Sequence, residues 1–323
     1  MPRLQDPQVE ISLVVPMHDE EDTIDTFFDA VVPVLEDMAI AYEIVCVNDG
    51  SRDATLDRLK AARGANQRIK IIDLSRNFGK ELALTAGLEH AIGAAVIPID
   101  ADLQDPPDMI PELVAKWREG YDMVLAQRRD RSSDTLFKRI SAKLFYKLIG
   151  RLSEVPIPHD VGDFRLLDRR VVDALDSLPE RTRFMKGLFA WLGFKQVTIT
   201  YVRDARTAGE SKWRIWSLWN FAIEGITSFS SFPLRMWSYV GTACALFAVG
   251  YMVYTIARTI LFGVDVPGYA SLLSVILLFN GMIMVSLGIL GEYVARMFVE
   301  VKRRPLYLVR ESWGFEDAND DPA

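Results

Sequence analysis

Short, nearly unbroken apolar stretches alternate with longer mixed segments over the first 127 residues. Stretches 11–16, 43–48, 69–74, 94–99 and 123–126 read as strands, and 20–35, 54–65, 80–92 and 107–117 as the helices between them. Strands without a polar alternation are buried on both faces, so the pattern predicts an α/β domain with a mostly parallel sheet covered by helices on both sides. Such sheets bind ligands beyond the C-terminal ends of their strands.

After about residue 233 the pattern changes. Stretches 236–257 and 269–291 contain no charged residue. Each is long enough to cross roughly 30 Å of hydrocarbon, which takes about 20 helical residues. Neither has the polar face of a long core helix, so two transmembrane helices are expected. Lys212, Arg214 and Arg235 precede the first, and Arg296, Lys302, Arg303 and Arg304 follow the second. The connection 263–268 has no Lys or Arg; Arg258 is the exception near it. This bias puts the N-terminal domain and the tail in the cytosol of an integral membrane protein. The expected organisation is a cytosolic α/β domain with interface helices over 1–232, two transmembrane helices within 233–298, and a cytosolic tail over 299–323.

Residues 134–152 interleave Lys138, Arg139, Lys143, Lys147 and Arg151 with apolar residues, and 213–232 is rich in Trp and Phe. Both read as segments lying at a membrane interface. Residues 1–10 lack the apolar core of a signal peptide, and the acidic end 316–323 reads as disordered. A net charge of −7 argues against a general nucleic-acid binder. Cys46 and Cys244 have no metal-ligand spacing, and the three histidines, His18, His90 and His159, form no ligand set.

Three acidic motifs fall at predicted strand ends: Pro16-Met17-His18-Asp19-Glu20-Glu21, Asn48-Asp49-Gly50-Ser51 and Asp100-Ala101-Asp102-Leu103-Gln104-Asp105. Two carboxylates one residue apart at a strand end suit a hard divalent cation whose shell is completed by phosphate oxygens. An EF-hand starting at Asp100 fails, because Asp105 and Pro111 stand where Gly and Glu are needed. No dinucleotide or Walker glycine motif is present.

These motifs, with Gly209-Glu210-Ser211-Lys212, resemble in order and over nearly the whole chain the polyprenyl-phosphate glycosyltransferases. These are inverting GT-A-fold enzymes that include dolichyl-phosphate mannose synthases and bactoprenol glucosyltransferases. The two spans and Lys302-Arg303-Arg304-Pro305-Leu306-Tyr307 look most like the bactoprenol branch. The resemblance implies that Pro16 and Glu20 shape the nucleotide pocket. It implies that Asp49 bonds the base edge, although a turn aspartate explains that residue equally well. It gives Asp102 to a Mg²⁺ or Mn²⁺ ion, Asp100 to the donor sugar or the metal, and Gln104 to the metal shell. Asp163, before Phe164-Arg165, falls at the reacting centre as base or positioning group, with Asp160 as a brace. Lys80 is a candidate for the diphosphate, with a solvated helix lysine the favoured reading.

The acceptor implied is a polyprenyl phosphate, already an anion, so the demanding task is to hold two anions together and stabilise the leaving diphosphate. Candidates for the acceptor phosphate are Arg128, Arg165, Ser211 and Lys212, with Arg129 and Arg131 as weaker ones. UDP-glucose is the donor implied, with UDP-N-acetylglucosamine, a UDP-aminoarabinose and GDP-mannose open. Two rivals stand beside this reading. A processive polysaccharide synthase would need more spans and a Gln-x-x-Arg-Trp motif, and a catalytically inactive sensor or scaffold would not need the intact acids. Gly281, Ser286, Gly288 and Gly291 offer a surface for self-association or for packing against the first span.

Overall fold

The computed structural model describes residues 9–128, 161–178, 180–181, 183, 185–201, 232–262 and 268–315. The elements run β1 (Ile11–Met17), α1 (Ile24–Asp37), β2 (Tyr42–Asn48), α2 (Thr55–Ala65), β3 (Ile69–Leu74), α3 (Lys80–His90) and β4 (Ala95–Pro98). After a 3₁₀ turn (Pro107–Met109) come α4 (Ile110–Arg118), β5 (Met123–Arg128), β6 (Val161–Asp168), α5 (Arg169–Asp176), α6 (Met185–Leu192) and β7 (Gln196–Tyr201). Two long helices, α7 (Phe232–Phe262) and α8 (Tyr269–Lys302), precede β8 (Val309–Trp313).

All eight strands form one sheet in the order β7-β5-β6-β4-β1-β2-β3-β8. Strands β4, β1, β2 and β3 are mutually parallel, as are β5 and β7; β6 and β8 run antiparallel to their neighbours. The mostly parallel sheet is therefore as the apolar runs predict. Successive residues of β1 explain those runs: Leu13 and Val15 pack with Phe27, Val31, Leu35 and Leu113 on one face, and Val14 packs with Leu84, Leu88 and Val171 on the other. Chain order reverses between β4 and β1, and this switch point positions the site.

Several boundaries differ from the sequence reading. Helix α1 starts at Ile24 rather than residue 20. The intervening residues are tied into a turn, with Glu20 N donating to Thr55 Oγ1 (2.9 Å) and Glu21 N to Asp53 Oδ2 (3.1 Å). Strand β7 was not anticipated, because as an edge strand it alternates exposed and buried residues over a short length.

The expected tail at 299–323 is also corrected. Its residues Val309–Trp313 form β8 and close the β3 edge of the sheet. A strand of this composition, Val-Arg-Glu-Ser-Trp, has no apolar run to announce it, and its place depends on an edge the rest of the chain supplies.

Helices α7 and α8 expose their large apolar side chains: Tyr239 is 74% accessible, Phe262 83% and Val301 77%. Among the described residues one segment, Leu278–Lys302, is long and apolar enough to cross a membrane, and Tyr239–Tyr254 is a shorter apolar stretch. Added methyl groups at Gly281, Gly288 and Gly291 would meet open space among the described residues. The proposed interface segments 134–152 and 213–232 lie outside the described residues, except for Phe232, which opens α7.

Candidate active site

The strand ends at the switch point enclose a cleft of about 300 Å³. Pro16, His18 and Glu20 come from the β1 end, Asp49 from the β2 end, Asn77, Gly79 and Lys80 from the β3–α3 turn, and Asp100 and Asp102 from beyond β4. The local sequence explains how these turns hold together. Gly50 has φ +63°, and a Cβ there would lie 2.4 Å from the Arg76 carbonyl carbon, so only glycine lets the two turns touch. Asp49 is buried, and its carboxylate accepts from Phe78 N (2.7 Å) and Gly79 N (2.9 Å). His18 Nδ1 donates to the Asp49 carbonyl (2.9 Å). Asp49 thus braces the cleft by tying the β2 end to the β3–α3 turn.

Beyond β4 the chain makes a tight turn. Leu103 takes φ +54°, a conformation that costs a non-glycine residue free energy. The turn lets Gln104 bond twice to Asp102, from its backbone N to Oδ1 (3.2 Å) and from Nε2 to Oδ2 (2.6 Å). The geometry gives Gln104 a second part beside the expected one in the metal shell, that of holding Asp102 in place. Its NH₂ faces Asp102 and its side chain is buried, so it orients the carboxylate from behind. The next residue, Asp105, accepts a short bond from the Tyr201 hydroxyl, which anchors the turn to β7.

Asp100 and Asp163 meet across Lys80. The ammonium lies 2.7 Å from Asp100 Oδ1 and 2.8 Å from Asp163 Oδ2. Lys80 is therefore no solvated helix lysine: it opens α3 at the point where two strand ends converge. Burial alone would lower its pKa, but Asp163 and Asp100 outweigh burial and hold it charged. Burial also raises the pKa of Asp163, and Lys80 followed by Lys186 overcomes this, bringing it down to about 2. Asp100 is pushed up by burial, offset in part by Lys80.

Two further groups lie beneath. Glu81 is raised to about 7, by burial first and the Asp163 charge second, and its Oε2 is buried without a hydrogen-bond partner. Nothing in the sequence singles Glu81 out, since its environment is supplied by β6 and α6. Arg165 is on the same face of β6 as Asp163, one layer deeper; it is 4% exposed, with its guanidinium 4.4 Å from the Phe189 ring centre and Nη2 donating to Gly162 O (2.5 Å). Arg165, expected at the acceptor phosphate, is thus buried among the described residues. Its pKa falls to about 10, because desolvation outweighs Asp163 and Glu81. Arg128 ends β5. Its side chain, and Arg129, Arg131, Asp160, Ser211 and Lys212, lie outside the described residues.

The cleft lining sets Glu20, Asp49, Asp100 and Asp102 against Lys80. A diphosphate entering this electronegative space needs compensating positive charge. Asp102 is a candidate to hold it: it lines the cleft, no lysine or arginine among the described residues is paired with it, and Gln104 bonds its carboxylate. The described residues contain no group of three or more His, Cys, Asp or Glu that could cage a metal by themselves. A hard cation sharing few protein oxygens with a phosphate ligand fits that donor set.

Residues 12–176 match the model for glycosyl transferase family 2, and residues 232–297 match the GtrB C-terminal hairpin. The chain is 55% identical to an uncharacterized glycosyltransferase of Synechocystis sp., over 95% of this chain and 97% of the relative. It is 48% identical to a prophage bactoprenol glucosyl transferase homolog of Escherichia coli K12, over 94% of this chain and 99% of the relative. Among solved structures, glucosyl-3-phosphoglycerate synthase from Mycobacterium tuberculosis, in complex with Mn²⁺, UDP-glucose and phosphoglyceric acid, aligns at 23% identity. That alignment has a TM-score of 0.47 and covers 68% of this chain and 78% of that one.

Proposed function

Because the chain belongs to glycosyltransferase family 2 and carries the GtrB-type hairpin, we propose that it transfers glucose from UDP-glucose to a polyprenyl phosphate, with inversion, at the cytosolic membrane face. The observation that carries this reading is its 48% identity, over 94% of its length, to a bactoprenol glucosyl transferase homolog. The cleft chemistry agrees. A polyprenyl phosphate brings its own negative oxygen, so the attack needs no strong base. Asp163, with a pKa brought down to about 2, is a poor proton acceptor and a good fixed charge. It positions Lys80 and, through it, Asp100 at the donor end of the cleft.

Asp102 holds a Mg²⁺ or Mn²⁺ ion in this proposal, with Gln104 orienting it. When bound, the ion neutralises charge that develops on the departing diphosphate. Pro16 and Glu20 line the nucleotide end, and Asp49 sets that wall by bracing it. Arg128, Ser211 and Lys212 bind the acceptor phosphate in this proposal.

Two crossings of the membrane suit the topology. Strand β8 lies in the same sheet as β1–β4, so the chain between Phe232 and Lys302 leaves the catalytic domain and returns to it. If α8 crosses a bilayer, α7 must cross it too. The charge bias of the flanks then puts the domain and β8 in the cytosol.

The test is incubation of membranes containing the protein with labelled UDP-glucose and undecaprenyl phosphate. A lipid-linked monosaccharide with inverted anomeric configuration is expected. A long polymer, or no transfer with UDP-glucose, UDP-N-acetylglucosamine, UDP-aminoarabinose or GDP-mannose, overturns the reading.

A further inference from the structure

The returning tail reaches the cleft walls as well as the sheet edge. Arg310, in β8, lies opposite the C-terminal end of β3, where the pairing register shifts between Asp73 and Leu74. Its guanidinium donates through Nη1 to Asp73 Oδ2 (3.2 Å) and through Nη2 to the Ser75 carbonyl (2.7 Å). The backbone repeats the link, with Ser75 N donating to Leu308 O (2.8 Å). Asp73 is buried, and its other oxygen accepts from Asn48 Nδ2 (2.7 Å). Asn48 is buried as well, and its Oδ1 accepts from Ser51 N (3.3 Å).

Arg310 therefore grips two turns at once. One is Asn48-Asp49-Gly50-Ser51, reached through Asp73. The other leads from Ser75 to Gly79 and is gripped at the Ser75 carbonyl. These are the turns that Gly50 and the Asp49 carboxylate press together. Arg310 itself lines a cavity of about 550 Å³ with Gly50, Ser51, Ser75 and Arg76. That cavity shares His18 and Asn77 with the cleft.

We propose that Arg310 is a positioning residue for the donor nucleotide: by holding Asp73 and Ser75, it sets the two turns at the spacing that nucleotide binding requires. The inference rests on reading the cleft as a nucleotide-sugar site. Its physical basis is the buried Asp73 carboxylate, which is costly without a cationic partner close by. Removing Arg310 leaves the buried Asp73 carboxyl bonded to Asn48 without its guanidinium partner, and the Asn48 side chain is what holds Ser51. Because β8 follows α8 directly in the chain, the nucleotide wall is complete only when the hairpin's return strand is docked on β3.

The experiment uses the full-length protein in nanodiscs, with UDP and Mn²⁺ as the calorimetric probe and initial-rate kinetics alongside. R310A is expected to weaken UDP binding and raise KM for the nucleotide sugar roughly tenfold, with KM for the polyprenyl phosphate and kcat within about threefold of wild type. D73N is expected to match it, and the double variant to be no worse than either single one, because both act along one chain of contacts. R310K, which keeps the charge but loses the fork, falls between R310A and wild type. K60A loosens Trp313 of the same strand, over whose ring Lys60 sits at 4.3 Å, without touching the chain of contacts, and leaves UDP affinity unchanged.

Wild-type affinity in both D73N and R310K overturns the inference, and it does so even if R310A does not fold. Additive losses in the double variant also overturn it, since Arg310 would then act on the nucleotide directly. Failure of the wild-type protein to bind UDP or any other nucleoside diphosphate removes the nucleotide reading of the cleft, a result distinct from a wild-type protein that binds while R310A binds equally well.

Discussion

Asp102, Asp163 and Glu81 are carboxyl groups of one site with three different environments. Asp102 lines the cleft with no lysine or arginine among the described residues paired to it, so D102A is expected to lower kcat at least about a hundredfold, the scale of losing charge stabilisation in a transition state. Circular dichroism should be unchanged, and chelation by EDTA should silence the wild-type protein while adding nothing to D102A. Asp163 is already ionised far below neutrality. D163N should therefore lower kcat across the whole range from about pH 5 to about pH 9 without moving the profile, whereas a general base would leave an acidic limb.

Glu81 behaves in the opposite sense. Its folded pKa of about 7 lies above the ordinary glutamate value, so its protonated form favours folding. That contribution is complete below the unfolded pKa and fades as pH rises through the folded one. The melting temperature of wild type relative to E81Q should fall between about pH 5 and about pH 8; a constant difference would remove the assignment.

At the scale of elements, α3 carries the site on a close helix–sheet contact. A methyl group at Gly87 would come within 2.2 Å of Val14 Cγ1 and 3.1 Å of Val47 Cγ2. The absent side chain lets α3 settle on β1 and β2, which sets where its first turn delivers Lys80. Gly87→Ala gains helix propensity but overpacks the contact, and a net loss of about 1–3 kcal/mol is expected by denaturant unfolding. The displaced helix should also lower kcat, because Lys80 no longer reaches both Asp100 and Asp163. Gly50 is constrained differently, by φ and by the Arg76 backbone together. Strand β8 is constrained by neither local pattern nor composition, and its register against Ile71, Ile72 and Asp73 exists only as a pairing.

For the whole molecule, the shared sheet links the catalytic domain to the far end of the hairpin. A cysteine at Asp265, in the connection between the helices, should react with an impermeant maleimide from outside intact cells, and one at Asp29 only after the membrane is opened. The reverse pattern would overturn the orientation. The glycines of α8 face open space, and a second copy of the chain is one occupant for that stripe; crosslinking in native-like membranes should then yield oligomers.

Apolar runs, turn residues and acidic motifs act over a few neighbours, and those features were legible in the chain itself. They include the mostly parallel sheet, the cluster of acids at its strand ends, the long apolar C-terminal helices and the family resemblance. What depends on distant segments meeting was not legible. Lys80 looks like any helix lysine until β4 and β6 bring Asp100 and Asp163 to it, and the burial of Arg165 against the Phe189 ring follows only from the packing of α6 on β6. Val309–Trp313 is a polar tail until β3 offers an unpaired edge. A side chain's charge state and exposure follow from the field and packing of everything around it, and that surrounding is created only when the chain folds.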